Sequence, residues 1–278
     1  ATTADGRDIL EGQGMPRHPN DLITVSGTKW MLDGVPVEGT FTPRGEYQMP
    51  AAPPFDSIFR ELPLTFSEKE IAAILQESLK NNDQLMVHVS GYRSAKAILN
   101  AMDASGSKAV WGGRRVRFEH GDGIFADLAP RVKDYGIVVV QNPSHLMNVL
   151  SEGGDVFAES QPLKSLLDAG IPVALGSDGP TNPFLNIMFA TLHTSRRSEA
   201  ITREQAVVAY TLTSAYAEFA EKDKGSITAG KLADLAVLSQ DIFTVPVPDM
   251  PKTVSVLTIV GGKTVYDAGV LKPASGKN

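Results

Sequence analysis

Between Gln84 and Asp178 the chain alternates short, almost wholly apolar runs with segments of helical period, and this alternation limits the fold more than any other feature. Apolar runs at 84–88, 115–120, 136–141 and 172–177 are separated by helical patterns at 93–104, 124–134 and 162–169, and another helical pattern follows at 183–197. Strands that alternate with helices in this way run parallel, because each crossover returns the chain to the same end of the sheet. Runs such as Ile137-Val138-Val139-Val140 have no polar face, so burial on both sides is expected, as in a barrel or a doubly wound sheet. The expected class is α/β.

On either side of this core the pattern changes. Residues 23–34 alternate and stop at Asp33-Gly34, which reads as a strand containing Lys29 and followed by a turn. Residues 1–22 show no clear period. The stretch from Val35 to Leu64 carries Pro36, Pro43, Pro50, Pro53, Pro54 and Pro63, too many breakers for a helix or a central strand, and is expected to be a lid or binding loop. Ser67 with Glu70 forms a capping box ahead of Ile71, Ile74, Leu75 and Leu79, so a helix is expected from there to about Asn81. Thr202 with Gln205 starts another, expected to reach about Ala220. Beyond Lys224 the helical pattern stops, and Gly225–Leu238 and Val254–Tyr266 read as strands separated by turns. The expected division is an α/β domain over 1–224 and a small all-β appendage over 225–278.

Composition narrows the function. With 26 basic against 32 acidic residues the net charge is -6, which provides no basic stripe for phosphates and argues against nucleic-acid binding. The chain has no cysteine, so disulfides, thiolate metal sites and cysteine nucleophiles are excluded together. A metal would have to be held by histidine, carboxylate or a modified lysine. No apolar run reaches the roughly 18 residues that span a bilayer, and the polar start is unlike a signal peptide, so no membrane partner and a cytoplasmic location are expected. The expected partner is a small-molecule substrate, with self-association into a homo-oligomer left open.

The chemistry-bearing residues sit where the apolar runs end. His88 closes the run 84–88, His120 closes 115–120 ahead of Gly121-Asp122-Gly123, and Asp178 follows 172–177 ahead of Gly179-Pro180. Metal-ligand side chains at the carboxyl ends of parallel strands face one pocket. A lone histidine at such a position is more often a hydrogen-bonded structural residue; two of them with an aspartate point to a metal site. His145, after the run 136–141, reads equally as a substrate contact or a loop histidine, whereas His193, inside a helical pattern, reads as a packing or surface residue. Gly225 to Lys231 fits Gly-x-x-x-x-Gly-Lys, but Leu232 stands where a phosphate loop needs Ser or Thr, so a turn is expected there. No Gly-x-Ser-x-Gly occurs to support a serine hydrolase of the α/β type.

Taken in order, Lys29 in Thr-Lys-Trp-Met-Leu-Asp-Gly, His88 in Val-His-Val-Ser-Gly, His120 in Arg-Phe-Glu-His, Asp178 in Leu-Gly-Ser-Asp-Gly-Pro, and Gly225-Ser-Ile-Thr-Ala-Gly-Lys-Leu-Ala-Asp-Leu-Ala-Val-Leu238 resemble the amidohydrolase superfamily. The branch it resembles contains N-substituted formamide deformylases and related amide hydrolases. The resemblance implies a (β/α)8 TIM-type barrel with a small all-β sandwich appendage, and metal-dependent hydrolysis of amide or other non-peptide C–N bonds by metal-activated water. It implies a divalent metal, zinc for preference. Lys29 becomes the fourth-strand lysine that many relatives carboxylate to bridge two metals, His88 and His120 the fifth- and sixth-strand ligands, and Asp178 an eighth-strand ligand and catalytic base. Arg93 and His145 become candidate substrate contacts. Tyr92 stands where relatives carry an acidic residue, and the family's opening His-x-His has no counterpart, since His18 is followed by Pro19-Asn20. The expectation that follows is a barrel lacking its first strands, in a chain that is part of a larger enzyme. The alternative reading is a non-catalytic or inactive barrel of the same kind, or an incomplete fragment of one.

Overall fold

The computed structural model describes residues 27–34, 64–81, 83–147 and 160–271. Within them, β1 (Gly27–Met31), β2 (Gln84–Val89), β3 (Arg117–His120), β4 (Val138–Gln141) and β5 (Val173–Leu175) form one sheet in the order β1-β2-β3-β4-β5. Every neighbouring pair is parallel, as the alternating pattern requires. The expected loop over 35–64 lies almost entirely outside the described residues, as do residues 1–22.

The helices return the chain across one face of this sheet. Helix α1 (Glu68–Asn81) starts at the expected capping box: the Ser67 N–H donates to the Glu70 carboxylate at 2.9 Å, and the Glu70 N–H reaches the Ser67 hydroxyl at 3.4 Å. Its apolar stripe buries Ile71, Ile74 and Leu75 against the next helix, α2 (Tyr92–Ser105), which contributes Ile98, Leu99 and Met102. After the short α3 (Lys108–Gly112) and β3, α4 (Ala129–Asp134) is shorter than the pattern at 124–134 suggests, because residues 121–128 make turns around Gly121 and Gly123. Helices α5 (Leu163–Asp168) and α6 (Pro183–Leu192) flank β5.

Two further boundaries differ from expectation. Helix α6 stops at Leu192 rather than continuing to residue 197, because His193 takes a left-handed conformation (φ 42°) and caps it. The helix from Thr202 breaks at Thr211 into α7 (Arg203–Tyr210) and α8 (Leu212–Ala217), although the expected Thr202–Gln205 capping box is present. The last segment folds as β6 (Leu235–Leu238), β7 (Ser255–Val260) and β8 (Lys263–Asp267), a three-stranded antiparallel sheet. Gly225 to Lys231 is a loop, and the Lys231 ammonium is spent on the carbonyls of Glu221 and Lys224 at 2.5 and 3.2 Å rather than aimed at an open cradle.

The strands sort their side chains by parity. Leu85, Val87 and Val89 of β2, with Val116 and Phe118 on and beside β3, join the core beneath the helices. Lys29, Arg117, Glu119 and Ala174 line a cavity at the other face, where α8 lays Ala217 against Val138, Val140 and Ala174. The first face is apolar throughout, whereas the second is mixed, with Val138, Val140 and Ala174 under α8 beside the polar Lys29, Arg117 and Glu119.

One contact holds the carboxyl ends in place. Gly123 donates to the Ser90 carbonyl at 2.7 Å, and a side chain there would put its first carbon 2.3 Å from the Tyr92 nitrogen and 2.5 Å from the Gly91 carbonyl carbon. Both obstructing atoms are backbone, so Gly123→Ala forces the turn after β2 away from the turn after β3. We expect Gly123→Ala to lose about 1–3 kcal/mol in a urea titration, with faster amide exchange concentrated at residues 90–92 and 121–124; a loss spread evenly over the chain would contradict this placement.

Candidate metal centre

His88 is the fifth residue of β2, and its parity with Gln84 and Met86 sends it to the mixed face of the sheet without strain. His120 is a different case. Its parity is that of Phe118, so a regular strand would drive the imidazole into the helix-side core. Instead His120 adopts φ 78°, a left-handed conformation that is uncommon for residues other than glycine, and the chain turns out of the strand there. Asp178 is left-handed as well, with φ 41°. Such conformations persist only where the surroundings impose them, and here both fall on candidate site residues.

The re-aimed His120 meets Asp178. Its Nε2 lies 3.6 Å from the Asp178 carboxylate, and its Nδ1 lies 3.3 Å from the Asn142 amide nitrogen. The Gln141 side-chain amide donates to the His120 carbonyl at 2.7 Å, which fixes the turn. His145, on the 3-10 turn Pro143–Met147, brings its Nε2 to 3.7 Å from the same Asp178 carboxylate oxygen, and its ring stacks on His120 with centroids 5.6 Å apart. One ligand atom from each of His120, His145 and Asp178 lies within 4.8 Å of the others. Lys29, His120, Asn142 and Asp178 line one cavity of about 400 Å³, together with the Arg117–Glu119 ion pair at 2.7 Å.

His88 packs edge-on against His120, with ring centroids 4.3 Å apart. Its Nε2, however, is turned to Asp33 Oδ1 at 3.6 Å and to the Ser90 hydroxyl at 3.4 Å. The sequence-named residues Lys29, His88, His120, His145 and Asp178 therefore gather at one rim. Arg93 does not join them: it is exposed near the start of α2 and is absent from the lining of that cavity. His193, read from sequence as mid-helix, is the fully buried cap of α6, with Nε2 at 2.8 Å from the Gln161 carbonyl and Nδ1 accepting from the Arg196 N–H at 3.0 Å.

The residues that sequence reasoning missed lie just beneath this rim. Asp33, read only as half of an Asp-Gly turn, accepts the N–H groups of Ser90 and Gly91 at 3.0 and 2.6 Å and the Ser94 hydroxyl, so it ties the end of β1 to the turn after His88. Asp122, read as part of a strand break, is buried nearby. Asp33 lies two residues beyond β1, and for neither acid did a local signal distinguish a buried acid from a turn residue.

Burial dominates the electrostatics. It pushes His88 down to about 4, with the Lys29 charge adding to the effect, and it holds His120 well below the ordinary histidine range, with His88 next. Both rings are neutral near pH 7, the state in which an imidazole nitrogen binds a metal. Burial pushes Asp33 up to about 7 against its three hydrogen bonds, and pushes Asp122 up to about 7 with help from the Asp33 charge.

A family model described as the amidohydrolase family matches residues 2–266. The chain belongs to that family. Among curated relatives of this amidohydrolase, "Protein LONG AFTER FAR-RED 3" of Arabidopsis thaliana is 31% identical over 203 residues, covering 67% of this chain and 35% of its own length. The N-substituted formamide deformylase of Arthrobacter pascens is 28% identical over 226 residues, covering 73% of this chain and 40% of its own. The chain thus spans well under half the length of these relatives. Among solved structures, an uncharacterized metal-dependent hydrolase from Pyrococcus furiosus superposes with a TM-score of 0.64 at 20% identity, over 79% of this chain and 45% of that one. The A. niger ochratoxinase superposes with a TM-score of 0.61 at 21% identity, over 87% and 51%. At these identities the two structures establish a shared fold. No helix among the described residues is long and apolar enough to cross a membrane.

Asp122 and His88 make the stability of the amidohydrolase depend on pH, with opposite signs. Asp122 keeps its proton in the fold up to about 7, whereas the unfolded chain loses it near 3.8, so this group costs stability as pH rises through that window. His88, neutral in the fold down to about 4 but protonated below 6.5 when unfolded, costs stability as pH falls through its own window. Asp122→Asn keeps an acceptor for the Gln161 N–H while removing the ionisation. Measured by urea unfolding of chelator-treated protein, it should gain on the order of 1–4 kcal/mol relative to wild type between about pH 5 and pH 8. An unchanged difference across that range would show that Asp122 is already ionised in the fold at the lower pH.

Proposed function

We propose that this amidohydrolase hydrolyses amide or other non-peptide C–N bonds of a small-molecule substrate, with a divalent cation, zinc for preference, held in the cavity between His120 and Asp178. The observation that carries this reading is the approach of the neutral His120 ring to the Asp178 carboxylate at 3.6 Å, with Lys29 on the same cavity wall. Neutral imidazole and carboxylate are the donor types that zinc accepts, so the residues present fit the ion. The relative named as an N-substituted formamide deformylase supports an amide-type substrate.

When bound, such a cation makes water nucleophilic near neutral pH and polarises the carbonyl under attack. The chain's own residues do the rest. Asp178, with its side chain 60% exposed, is free to take the proton of the attacking water and return it to the departing nitrogen. Asn142 and the Gln141 amide hold the His120 ring and backbone, which keeps its Nε2 directed at Asp178. Lys29 adds positive charge to the cavity wall, suited to a substrate carboxylate or, once carboxylated, to the metal itself.

On the same reading the five parallel strands belong to a (β/α)8 barrel, with residues 225–278 forming part of a separate all-β unit. Lys29, Arg117 and Glu119 support this, since they lie on the face opposite α1 and α2, the face that a barrel encloses.

The test is hydrolysis of a panel of N-substituted formamides and small amides by the purified protein. We expect activity that disappears on chelation and returns with Zn2+, and a fall of roughly 100- to 10,000-fold in kcat for Asp178→Asn. Hydrolysis indifferent to chelator, or undiminished in Asp178→Asn, would overturn the reading.

A further inference from the structure

We infer that the groove between α4 and α5 is a second binding site, for a small molecule that joins a carboxylate to an apolar body, such as a medium-chain carboxylic acid. The groove lies in the helix layer, and none of its lining residues lines the cavity of the candidate metal centre. It encloses about 720 Å³, within the roughly 300–1,000 Å³ of sites that take small organic ligands. Ile124, Phe125, Ala129, Pro162, Leu166 and Ala169 give it an apolar surface. Ile124 and Leu166 belong to the buried core, so the floor of the groove is anchored from beneath.

Charge decides what such a surface accepts. Lys133 and Arg196 line the groove, and no carboxylate does. Lys133 is exposed, and its ammonium lies by the carboxyl end of α5, where a side chain added at Gly170 would meet Nζ at 3.2 Å. Arg196 stands toward the other end of the helix. Its Nη2 is 3.4 Å from Glu199, whose carboxylate is buried and accepts the N–H and hydroxyl of Ser165 at 2.8 and 2.5 Å. The Arg196 Nε–H is shielded from water and has no hydrogen-bond partner among the described residues. A shielded donor left unpaired costs free energy that an arriving acceptor restores, and the acceptor that suits a guanidinium best is a carboxylate. The apolar floor runs along α5, whose six residues make about 9 Å of helix, the reach of a chain of roughly eight carbons. The carboxylate head therefore belongs at Arg196 and the apolar body along α5, with Lys133 adding positive charge at the far end.

The experiment is calorimetric titration of the full chain with sodium octanoate, with acetate and 1-octanol as controls, in wild type, Arg196→Gln and Ala126→Phe. Ala126 lines the groove at an exposed position, so phenylalanine there narrows the groove without entering the core. Chelator-treated protein is used, so that no metal competes for the carboxylate. We expect wild type to bind one equivalent of octanoate with a Kd below about 1 mM. Acetate should bind at least on the order of a hundredfold more weakly, having lost the apolar body, and 1-octanol on the order of tenfold more weakly, having lost the charge. Arg196→Gln should reduce octanoate to the affinity of 1-octanol, and Ala126→Phe should weaken both ligands. No saturable octanoate binding, 1-octanol binding as tightly as octanoate, or wild-type affinity in both variants would overturn the inference. Should circular dichroism show Arg196→Gln to be misfolded, Ala126→Phe and a crystal structure with octanoate decide. A carboxylate within hydrogen-bond distance of Arg196 Nε supports the site, and a groove closed by another part of the chain or by a second copy refutes it.

Discussion

The parallel pairing of β2 with β3 is the interaction on which the site depends. Its register sets Val89 opposite His120 and continues past the strand as the Gly121 N–H bonded to the Val89 carbonyl at 2.7 Å and the Gly123 N–H bonded to the Ser90 carbonyl at 2.7 Å. Because the pairing is parallel, both chains leave the sheet at the same rim, and their terminal histidines come into ring contact. The Asp33 carboxylate adds β1 to this arrangement by accepting from the turn after β2. Three strand ends are thereby held together by short hydrogen bonds in a setting from which water is largely excluded, where each bond counts for more than it does at the surface.

The same burial decides how charge is distributed across the rim. Imidazoles taken out of water stay neutral, and burial pushes Asp33 and Asp122 up to about 7, so near pH 7 the layer formed by Asp33, His88, His120 and Asp122 carries less charge than the same groups would carry in water. Asp178 is more than half exposed and Lys29 lies on the cavity wall, so formal charge collects on the open side. Membership of the amidohydrolase family, drawn from residues 2–266, agrees with that arrangement without specifying a substrate.

The strained backbone at His120 shows how far pattern alone can go. Alternation along Val116, Arg117, Phe118 and Glu119 is legible in sequence and is what the strand does. Continued by one residue, it assigns His120 to the wrong face. The resemblance to amidohydrolases named His120 as a site residue all the same, but only the fold shows the means, a φ of 78° followed by Gly121. The early end of α6 has a similar cause, since His193 is held in a left-handed conformation by bonds to Gln161 and Arg196, residues that no helical period could reveal.

By itself the sequence determined the α/β class, the parallel sheet and the turn-separated strands after residue 225, and it named residues at strand ends as candidates for metal chemistry. These follow from local quantities: hydrophobic period, capping residues and the chemistry of the side chains. Tertiary structure decided which of those residues meet. It turned His88 toward Asp33, brought His145 to Asp178, left Arg93 at the surface, and buried Asp33 and Asp122, whose carboxyls are pushed up to about 7. The physical reason is that orientation and burial depend on groups far apart in the chain: Asp33 with Ser90, His145 with Asp178, and Asp122 with Gln161. A sequence pattern records what each residue can do, and only packing brings each one to a particular neighbour.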